Sequence, residues 1–227
     1  MGNDTVSAVI LGGGSSCRMG GADKLFRQAC SKPLLYWSLL AFENSPLVDE
    51  IVVVLNKTNI TPGRKMISKE GFCKVRAIVH GGMRRQDSVV HGLAHVSGRI
   101  VLIHDGARPM VSLDLIRAVA EGAQRHGACI PAVAVTDTIK TELNGFVSRT
   151  MPRTDLRAVQ TPQAFSTELL RMAYQHFTSE ATDDAQVVEI SGAKVSLTEG
   201  SYDNIKVTTP SDLELVRTLI RKRGGVK

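Results

Sequence analysis

The sequence has few aromatic residues and few cysteines, and both shortages exclude classes of site. Phe, Trp and Tyr make up 4% of the 227 residues, which is little for a surface that stacks nucleic-acid bases. The four cysteines are scattered and form no C-x-x-C pair, so we expect free thiols and no structural zinc site. The net charge of +6 is explained more simply by a small anionic substrate than by a nucleic-acid partner.

Long apolar runs are also missing. No run approaches the ~20 residues of a membrane span. The first residues, MGNDT, lack the basic and apolar regions of a signal peptide. We therefore expect a cytoplasmic protein with no membrane partner, folded as one domain over residues 1–227.

Two common phosphate-binding motifs are absent, although the first loop has the composition of a phosphate site. The P-loop pattern does not occur, and the third glycine of G-x-G-x-x-G falls on Cys17. An apolar run, 8–11, is nevertheless followed by three glycines, 12–14, and then by Arg18 and Lys24. The backbone N–H groups of such a turn form an anion-binding concavity, to which the cationic side chains add. The loop therefore predicts a polyphosphate site.

Strand-like and helix-like segments alternate along the chain, which predicts a doubly wound, Rossmann-like α/β domain with a mainly parallel sheet. The predicted strands cover residues 8–11, 50–55, 74–79, 100–103, 129–135, 195–197 and 205–207. The predicted helices begin at Pro33, at Pro62 behind a Thr61 cap, near Ser88, after a Ser112 cap, near Ser166, near Asp183, and at Pro210 behind a Thr209 cap.

Ligands of such sheets bind beyond the carboxyl ends of the strands. The loops at those ends carry charged residues, which we expect to converge on one crevice. They are Arg18 and Lys24 after the first strand, Arg84 and Arg85 after the third, Asp105 and Arg108 after the fourth, and Asp137 and Lys140 after the fifth.

Residues 136–160 interrupt the alternation. They show no helical period, and Asn144-Gly145 between short alternating segments is typical of a β-hairpin. Val147, Met151 and Leu156 would find little to pack against within such an arm. We therefore predict a projecting β-arm that is covered by a second copy of the chain in a homodimer.

Six motifs follow one another along the chain. They are the glycine loop with Arg18-Met19 and Lys24; Gly81-Gly82 with Arg85 and Ser88; His104-Asp105-Gly106-Ala107-Arg108-Pro109; Asp137-Thr138-Ile139-Lys140; Thr161-Pro162-Gln163; and Asp203-Asn204-Ile205-Lys206-Val207-Thr208. Over nearly its whole length the chain resembles the 2-C-methyl-D-erythritol 4-phosphate cytidylyltransferase family. The resemblance implies that CTP and 2-C-methyl-D-erythritol 4-phosphate are joined, with release of pyrophosphate and with Mg²⁺ as cofactor.

The resemblance also implies roles for individual residues. The catalytic cations would be Arg18, Lys24 and Lys206. CTP would be bound, and a purine excluded, by a set comprising Gly12, Gly13, Gly14, Gly82, Arg85, Ser88 and Asp105. The sugar-alcohol phosphate would be bound by Arg108, Thr138, Arg153, Thr161 and Thr182, with Thr138 and Arg153 supplied by the arm of a partner subunit. Asp105 would also contact Mg²⁺, which the phosphates of CTP would mainly hold.

Some of these residues have a plain structural alternative. Asp105 could cap the following turn, and Arg153 and Arg84 could be solvated surface residues. His104 could be a strand-end histidine whose hydrogen bonds are satisfied. Cys17 lies beside two cations, which could make its thiol reactive.

The chain departs from the family in the first loop. The family usually has a second glycine in G-x-G-x-R-M, where this chain has Ser16 followed by Cys17. If that position needs a positive φ, Ser16 carries a strain of about 1–2 kcal/mol.

Two other functions stay open at this point. A cytidylyltransferase acting on ribitol 5-phosphate shares the first loop, the D-x-x-R-P element and N-I-K-V-T, although Lys140 and Asp203 favour the methylerythritol substrate. A non-catalytic nucleotide-binding regulator would not need Arg18, Lys24 and Lys206 around an α-phosphate. Release of pyrophosphate from CTP would separate an enzyme from a regulator.

Overall fold

The computed structural model describes residues 4–13 and 24–224. The strands are β1 (Val6–Gly12), β2 (Gln28–Ala29), β3 (Lys32–Pro33), β4 (Glu50–Leu55), β5 (Val75–His80), β6 (Ile100–Asp105), β7 (Ala128–Ala134), β8 (Lys140–Leu143), β9 (Phe146–Thr150), β10 (Arg157–Val159), β11 (Gln163–Ser166) and β12 (Ser196–Glu199). The helices are α1 (Leu34–Glu43), α2 (Ile60–Glu70), α3 (Arg85–Leu93), α4 (Leu113–His126), α5 (Thr167–His176), α6 (Asp184–Ile190) and α7 (Pro210–Gly224).

Most of the strands belong to one twisted sheet. Within the described residues it has eight strands in the order β5-β4-β1-β6-β11-β7-β12, and β10 pairs with the carboxyl end of β7. The pairs of β1 with β4 and β6, of β4 with β5, and of β7 with β12 are parallel. Among the described strands of this sheet, only β10 and β11 run antiparallel to their neighbours. The predicted mainly parallel α/β fold is therefore confirmed.

Helices cover both faces of the sheet, so the inner strands are buried on both sides. In β1, Ala8 and Ile10 belong to one core with side chains of α1, α2 and α4. The alternate residues Val9 and Leu11 belong to a second core with side chains of α3, α5 and α6. No described helix is long and apolar enough to cross a membrane.

Several helix ends lie where their sequences predict them. The Ser112 hydroxyl accepts a hydrogen bond from the N–H of Leu115 at 3.1 Å and caps α4. At α7, the Asp212 carboxylate accepts from the N–H of Thr209 at 2.8 Å, and the Thr209 hydroxyl accepts from the N–H of Asp212 at 3.2 Å. The predicted start of α2 is wrong, since that helix begins at Ile60 and includes Pro62 in its first turn, where an N–H is not needed.

Two predictions about strands are wrong, and one strand of the main sheet was not predicted. Residues 205–207 form a loop, in which the N–H of Val207 donates to the carbonyl of Ala107 at 2.9 Å. Strand β11 was not predicted, because its four residues show no clear alternation and are positioned by pairing with β6 and β7. Residues 157–159 leave the predicted arm and join the main sheet as β10.

The projecting arm itself is confirmed, although it ends before β10. Strands β8 and β9 pair antiparallel in a separate two-stranded sheet. Between them, Asn144 and Gly145 have φ values of 52° and 82°, as a two-residue hairpin turn with two left-handed residues requires. Every residue of both strands is exposed.

Candidate functional site

A cavity of about 430 Å³ lies beyond the carboxyl ends of β1, β5 and β6. Its walls are formed by Leu11, Gly12, Gly13, Lys24, Leu25, Gly82, Met83, Arg84, Arg85, Ser88, Asp105, Ala107 and Lys206. The predicted convergence of the loops after the first, third and fourth predicted strands is therefore confirmed for these residues.

The convergence predicted for the loop after β7 is wrong. Neither Asp137 nor Lys140 is among the residues that line the cavity. Lys140 instead donates from Nζ to the hydroxyl of Thr150 on the arm, at 2.7 Å. The reason is β11, which lies between β6 and β7 and moves the end of β7 away from the cavity.

The two glycine turns meet at the floor of the cavity. A Cβ added to Gly81 would lie 3.4 Å from the Cα of Gly13 and 2.9 Å from the Ser88 hydroxyl, so this approach leaves little space for a side chain. The Ser88 hydroxyl accepts from the N–H of Gly82 at 3.0 Å and donates to the carbonyl of Arg84 at 3.3 Å. Ser88 thus holds the second turn in place at the start of α3.

Asp105, the last residue of β6, is the electrostatic centre of the cavity. Its Oδ2 lies 2.8 Å from Nζ of Lys206 and 3.6 Å from Nε of Arg108, and its Oδ1 lies 3.7 Å from Nε of Arg85. Burial alone would raise the pKa of this carboxyl, but Lys206, Arg85 and Arg108 hold the pKa of Asp105 well below its usual range. Asp105 is therefore ionised and fixes three cations around one point.

Lys206 reaches the cavity from the loop before α7, which is tied to the turn after β6. Arg108 Nη1 donates to the carbonyl of Asn204 at 2.8 Å, and the buried Asn204 side chain donates to the carbonyl of Thr161 at 2.8 Å. Together with the hydrogen bond from the N–H of Val207 to the carbonyl of Ala107, these contacts place the ammonium of Lys206 beside the carboxylate of Asp105. The side chain of Lys206 is 41% exposed, so its charge also faces the solvent of the cavity.

His104 is completely buried behind Asp105. Its Nε2 lies 3.1 Å from the carbonyl of Arg108, and its Nδ1 lies 3.1 Å from the Thr161 hydroxyl. Since a carbonyl only accepts, Nε2 carries the proton and Nδ1 accepts from Thr161. Burial lowers the pKa of His104 to about 4, so the ring is neutral at pH 7. The alternative interpretation of His104, as a structural histidine whose hydrogen bonds are satisfied, is confirmed.

Thr161 was predicted to bind the sugar phosphate, and its hydroxyl is engaged inside the protein. The oxygen accepts from the N–H of Asp105 at 3.0 Å while the hydroxyl proton is donated to His104. Thr161 is buried behind the cavity and does not line it. Its contact with a substrate stays a prediction.

The other predicted residues fall into four groups. Gly12, Gly13, Gly82, Arg85, Ser88, Asp105, Lys24 and Lys206 line the cavity, and Arg108 lies directly behind Asp105. Thr138 and Arg153 lie on the arm, where the Arg153 guanidinium donates to the carbonyl of Thr136. Thr182 is exposed just before α6, and both its N–H and its hydroxyl donate to Gln186. Gly14, Ser16, Cys17 and Arg18 lie outside the described residues.

The described residues do not form a complete metal site by themselves. In the ranges 4–13 and 24–224, no group of three or more His, Cys, Asp and Glu side chains could hold a metal ion. Asp105 lines the cavity, but its Oδ2 already faces Lys206. Mg²⁺ prefers several oxygen ligands and retains waters or substrate phosphates. A Mg²⁺ ion here would therefore depend on the phosphates of a bound nucleotide.

Sequence reasoning missed several residues of the site. Met83 lines the cavity and is fully exposed. The buried Asp184 and the half-buried Tyr174 form a bonded group with Arg85, although they lie about 90 to 100 residues further along the chain. No pattern in the sequence links segments so far apart, and only the folded structure brings them together.

Comparisons with known proteins identify a family that this chain resembles over nearly its whole length. Residues 6–222 match the model of a family described as 2-C-methyl-D-erythritol 4-phosphate cytidylyltransferase. A curated relative of that name from Dehalococcoides mccartyi is 42% identical over 223 residues, which are 97% of this chain and 98% of the relative. Another, from Alkaliphilus oremlandii, is 41% identical over 96% of this chain and 95% of the relative.

Solved structures show the same likeness. The crystal structure of 2-C-methyl-D-erythritol 4-phosphate cytidylyltransferase from Thermus thermophilus superposes with a TM-score of 0.79 at 37% identity, covering 94% of this chain and 98% of that one. The crystal structure of 4-diphosphocytidyl-2C-methyl-D-erythritol synthase from Anaerococcus prevotii has a TM-score of 0.85 at 27% identity, covering 96% and 97%.

Proposed function

Because this chain belongs to the 2-C-methyl-D-erythritol 4-phosphate cytidylyltransferase family, we propose that the cavity around Asp105 is the site where it performs the family's reaction. The enzyme joins CTP and 2-C-methyl-D-erythritol 4-phosphate to give 4-diphosphocytidyl-2-C-methyl-D-erythritol and pyrophosphate. The observation that carries the assignment is the pair of lysines in the cavity, Lys24 and Lys206, beside two glycine turns.

The reaction is a substitution at the α-phosphorus of CTP. A phosphate oxygen of the sugar phosphate forms a bond to that phosphorus, and the bond between the phosphorus and the pyrophosphate oxygen breaks. A phosphate monoester has its second pKa near 6, so the attacking group is ionised at neutral pH and needs no protein base. Catalysis then consists of positioning the reactants and stabilising charge.

We assign charge stabilisation to Lys24, Lys206 and Arg18. Lys206 is held at 2.8 Å from Asp105 by the contacts of its loop, so its ammonium does not need to be reoriented when charge develops. Such preorganised donors account for much of the rate enhancement in many enzymes. Arg18 lies outside the described residues, and its role rests on the first-loop motif alone.

We place the cytosine beside the two glycine turns. The two turns approach each other closely at Gly13 and Gly81, which leaves no room for a base between these two residues. That the base lies between the turns beyond this contact stays a prediction. The base fits against Gly82 and Met83 at the edge of that contact. A purine, which is larger, would have to displace this backbone.

We place the sugar phosphate on the Asp105 side of the cavity, toward Arg108 and Thr182. Thr138 and Arg153 are exposed on the arm and do not line the cavity of their own chain. They would complete the substrate site of a partner subunit. Mg²⁺, held mainly by the phosphates of CTP with Asp105 nearby, would neutralise the triphosphate.

The homodimer is supported by apolar side chains left in solvent. On the arm, Leu143, Phe146 and Val147 are 65%, 78% and 65% exposed, and Leu197 of the edge strand β12 is 57% exposed. Burial of such residues favours association by about 25 cal/mol for each Å² of apolar surface. A symmetric dimer would cover the arm and bring Arg153 to its partner. The cytoplasmic location stays a prediction.

The assay that tests the proposed site measures pyrophosphate release from CTP with each of two sugar phosphates. We expect turnover with 2-C-methyl-D-erythritol 4-phosphate, little with ribitol 5-phosphate, and a large loss in Lys206→Ala. Lys69→Ala, an exposed residue of α2, serves as the control and should retain activity. Full activity of a folded Lys206→Ala protein would show that the reaction does not take place in this cavity. Binding of CTP without turnover would favour a non-catalytic regulator.

A further inference from the structure

Arg85 lies between two carboxylates that come from distant parts of the chain. Its Nη2 lies 2.7 Å from Oδ2 of Asp184, the first residue of α6, while its Nε lies 3.7 Å from Asp105. Its side chain is 28% exposed and lines the cavity. The guanidinium therefore pairs closely with Asp184 and only loosely with Asp105.

Asp184 is completely buried, so solvent cannot compensate the charge of its carboxylate. Its Oδ1 accepts from the hydroxyl of Tyr174 at 2.5 Å. Among the described residues no hydrogen-bond donor is well aligned with its Oδ2, so the short approach of Arg85 is an ion pair that supplies the balancing charge at this oxygen. An unpaired charge at such depth is strongly unfavourable, so the pair is kept together.

The neighbouring residue makes a second connection between the same two segments. The Gln86 side chain donates to the carbonyl of Ser179 at 2.8 Å and accepts from the N–H of Ala181 at 3.3 Å. Gln86 is itself buried. The start of α3, which follows the second glycine turn, is thus connected by hydrogen bonds to the loop that carries Thr182 and by the ion pair to the start of α6.

We propose that Asp184 is a positioning residue for cytidylyl transfer. By holding Arg85, it keeps the guanidinium from closing into a tight bidentate pair with Asp105. Asp105 then remains available to hold Lys206 at 2.8 Å. This inference rests on the proposed function, because its consequence is the placement of cations around the reacting phosphate. Without the Asp184 charge, Arg85 would turn toward Asp105 and compete with Lys206 for it.

The test is the epistasis between Asp184 and Arg85. We expect Asp184→Asn, which keeps the shape of the side chain, to lower kcat/KM for CTP by about tenfold, a loss typical of a charge-assisted contact. In an Arg85→Gln background the same substitution should cause no further loss, since Asp184 acts through Arg85. Losses that multiply in the double variant, or a wild-type kcat/KM in Asp184→Asn, would overturn the proposal.

A second variant keeps the test informative if Asp184→Asn does not fold. Tyr174→Phe removes the hydroxyl that donates to Oδ1 of Asp184, so the carboxylate is no longer held in one orientation and its ion pair with Arg85 is weakened. We expect about a threefold fall in kcat/KM for CTP, which again disappears in the Arg85→Gln background. An unchanged value overturns the proposal. If the wild-type enzyme itself does not release pyrophosphate from CTP with the sugar phosphate, the proposed function fails, whereas failure of the inference alone leaves that activity intact.

Discussion

The carboxylate of Asp105 and the hairpin β8–β9 lie at opposite extremes of solvation in this chain. Around the buried Asp105, the charged groups are paired, and three segments distant in sequence meet within ion-pair distance. On the hairpin every residue is exposed, including Phe146 at the tip. Under the proposed function, the nucleotide half of the site is assembled within one chain, whereas the arm residues assigned to the sugar phosphate would act on a second copy.

This contrast separates two kinds of residue. A substitution near Asp105 disturbs a prearranged cluster of charges inside one subunit and should mainly affect turnover. A substitution on the arm leaves that cluster intact and should mainly affect the binding of the second substrate or the assembly of the dimer.

The largest effect is expected from Lys24→Ala. We expect turnover to fall by about 10²- to 10³-fold with the fold preserved, because one preorganised donor to the developing charge is lost. Steady-state pyrophosphate release measures the effect, and circular dichroism checks the fold. Lys69→Ala is the matched control on α2, and turnover near the wild-type value in folded Lys24→Ala would contradict the catalytic role.

The base pocket can be tested with other nucleotides. We expect CTP to be used about 100-fold more efficiently than ATP or GTP, because a purine would collide with the backbone at Gly82 and Met83. Competition between CTP and ATP in one assay gives the ratio of kcat/KM directly. Equal use of the two nucleotides would show that the glycine turns do not contact the base.

Arg153→Ala should affect one substrate far more than the other. We expect the KM for the sugar phosphate to rise about tenfold while the KM for CTP changes little, because a bidentate contact with the phosphate is lost. Arg117→Ala, an exposed arginine of α4, is the control. A parallel rise in both KM values would place Arg153 outside the sugar-phosphate site.

The smallest effect concerns stability at mildly acidic pH. The pKa of His104 is about 4 in the folded protein and about 6.5 when unfolded, so the unfolded state binds more protons between these values. The free energy of unfolding should be highest above about pH 6.5 and should fall toward pH 4, by at most about 1.4 kcal/mol per pH unit from this group.

Urea titrations at pH 7 and pH 5 measure this dependence. A His104→Gln variant should be less stable at pH 7 but should lose less stability on acidification, whereas exposed His126→Gln should behave like the wild type. The same pH dependence in His104→Gln and the wild type would show that His104 is not the responsible group. Asp105 contributes little between pH 7 and pH 5, because its carboxyl is ionised in the folded protein and an unfolded Asp, with a pKa of about 3.9, is ionised there as well.

The sequence predicts the features that depend on local signals. Pro33, Ser112 and Thr209 mark the starts of α1, α4 and α7 correctly, and Asn144-Gly145 marks the hairpin turn. These features are set by the chemistry of a few neighbouring residues, such as a capping hydroxyl or a left-handed turn position.

Features that depend on distant partners were predicted less well. The loop with Ile205, Lys206 and Val207 has the composition of a strand, but its backbone binds Ala107 instead of a neighbouring strand. Lys206 was still assigned to the site through the family resemblance. The contact of Asp184 with Arg85 had no such motif to reveal it, because it joins the starts of two helices that are far apart in sequence.

Mixing two damaged subunits tests most directly whether one chain holds the nucleotide and its partner completes the site. Lys24→Ala subunits retain an intact arm, and Arg153→Ala subunits retain an intact first loop. If the arms cross, each heterodimer has one doubly damaged site and one intact site. An equal mixture after subunit exchange, assayed at low sugar phosphate, should recover about a quarter of the wild-type activity, since half of the dimers are mixed. No gain over the separate variants after verified exchange, or a fully active monomer, would contradict the shared site.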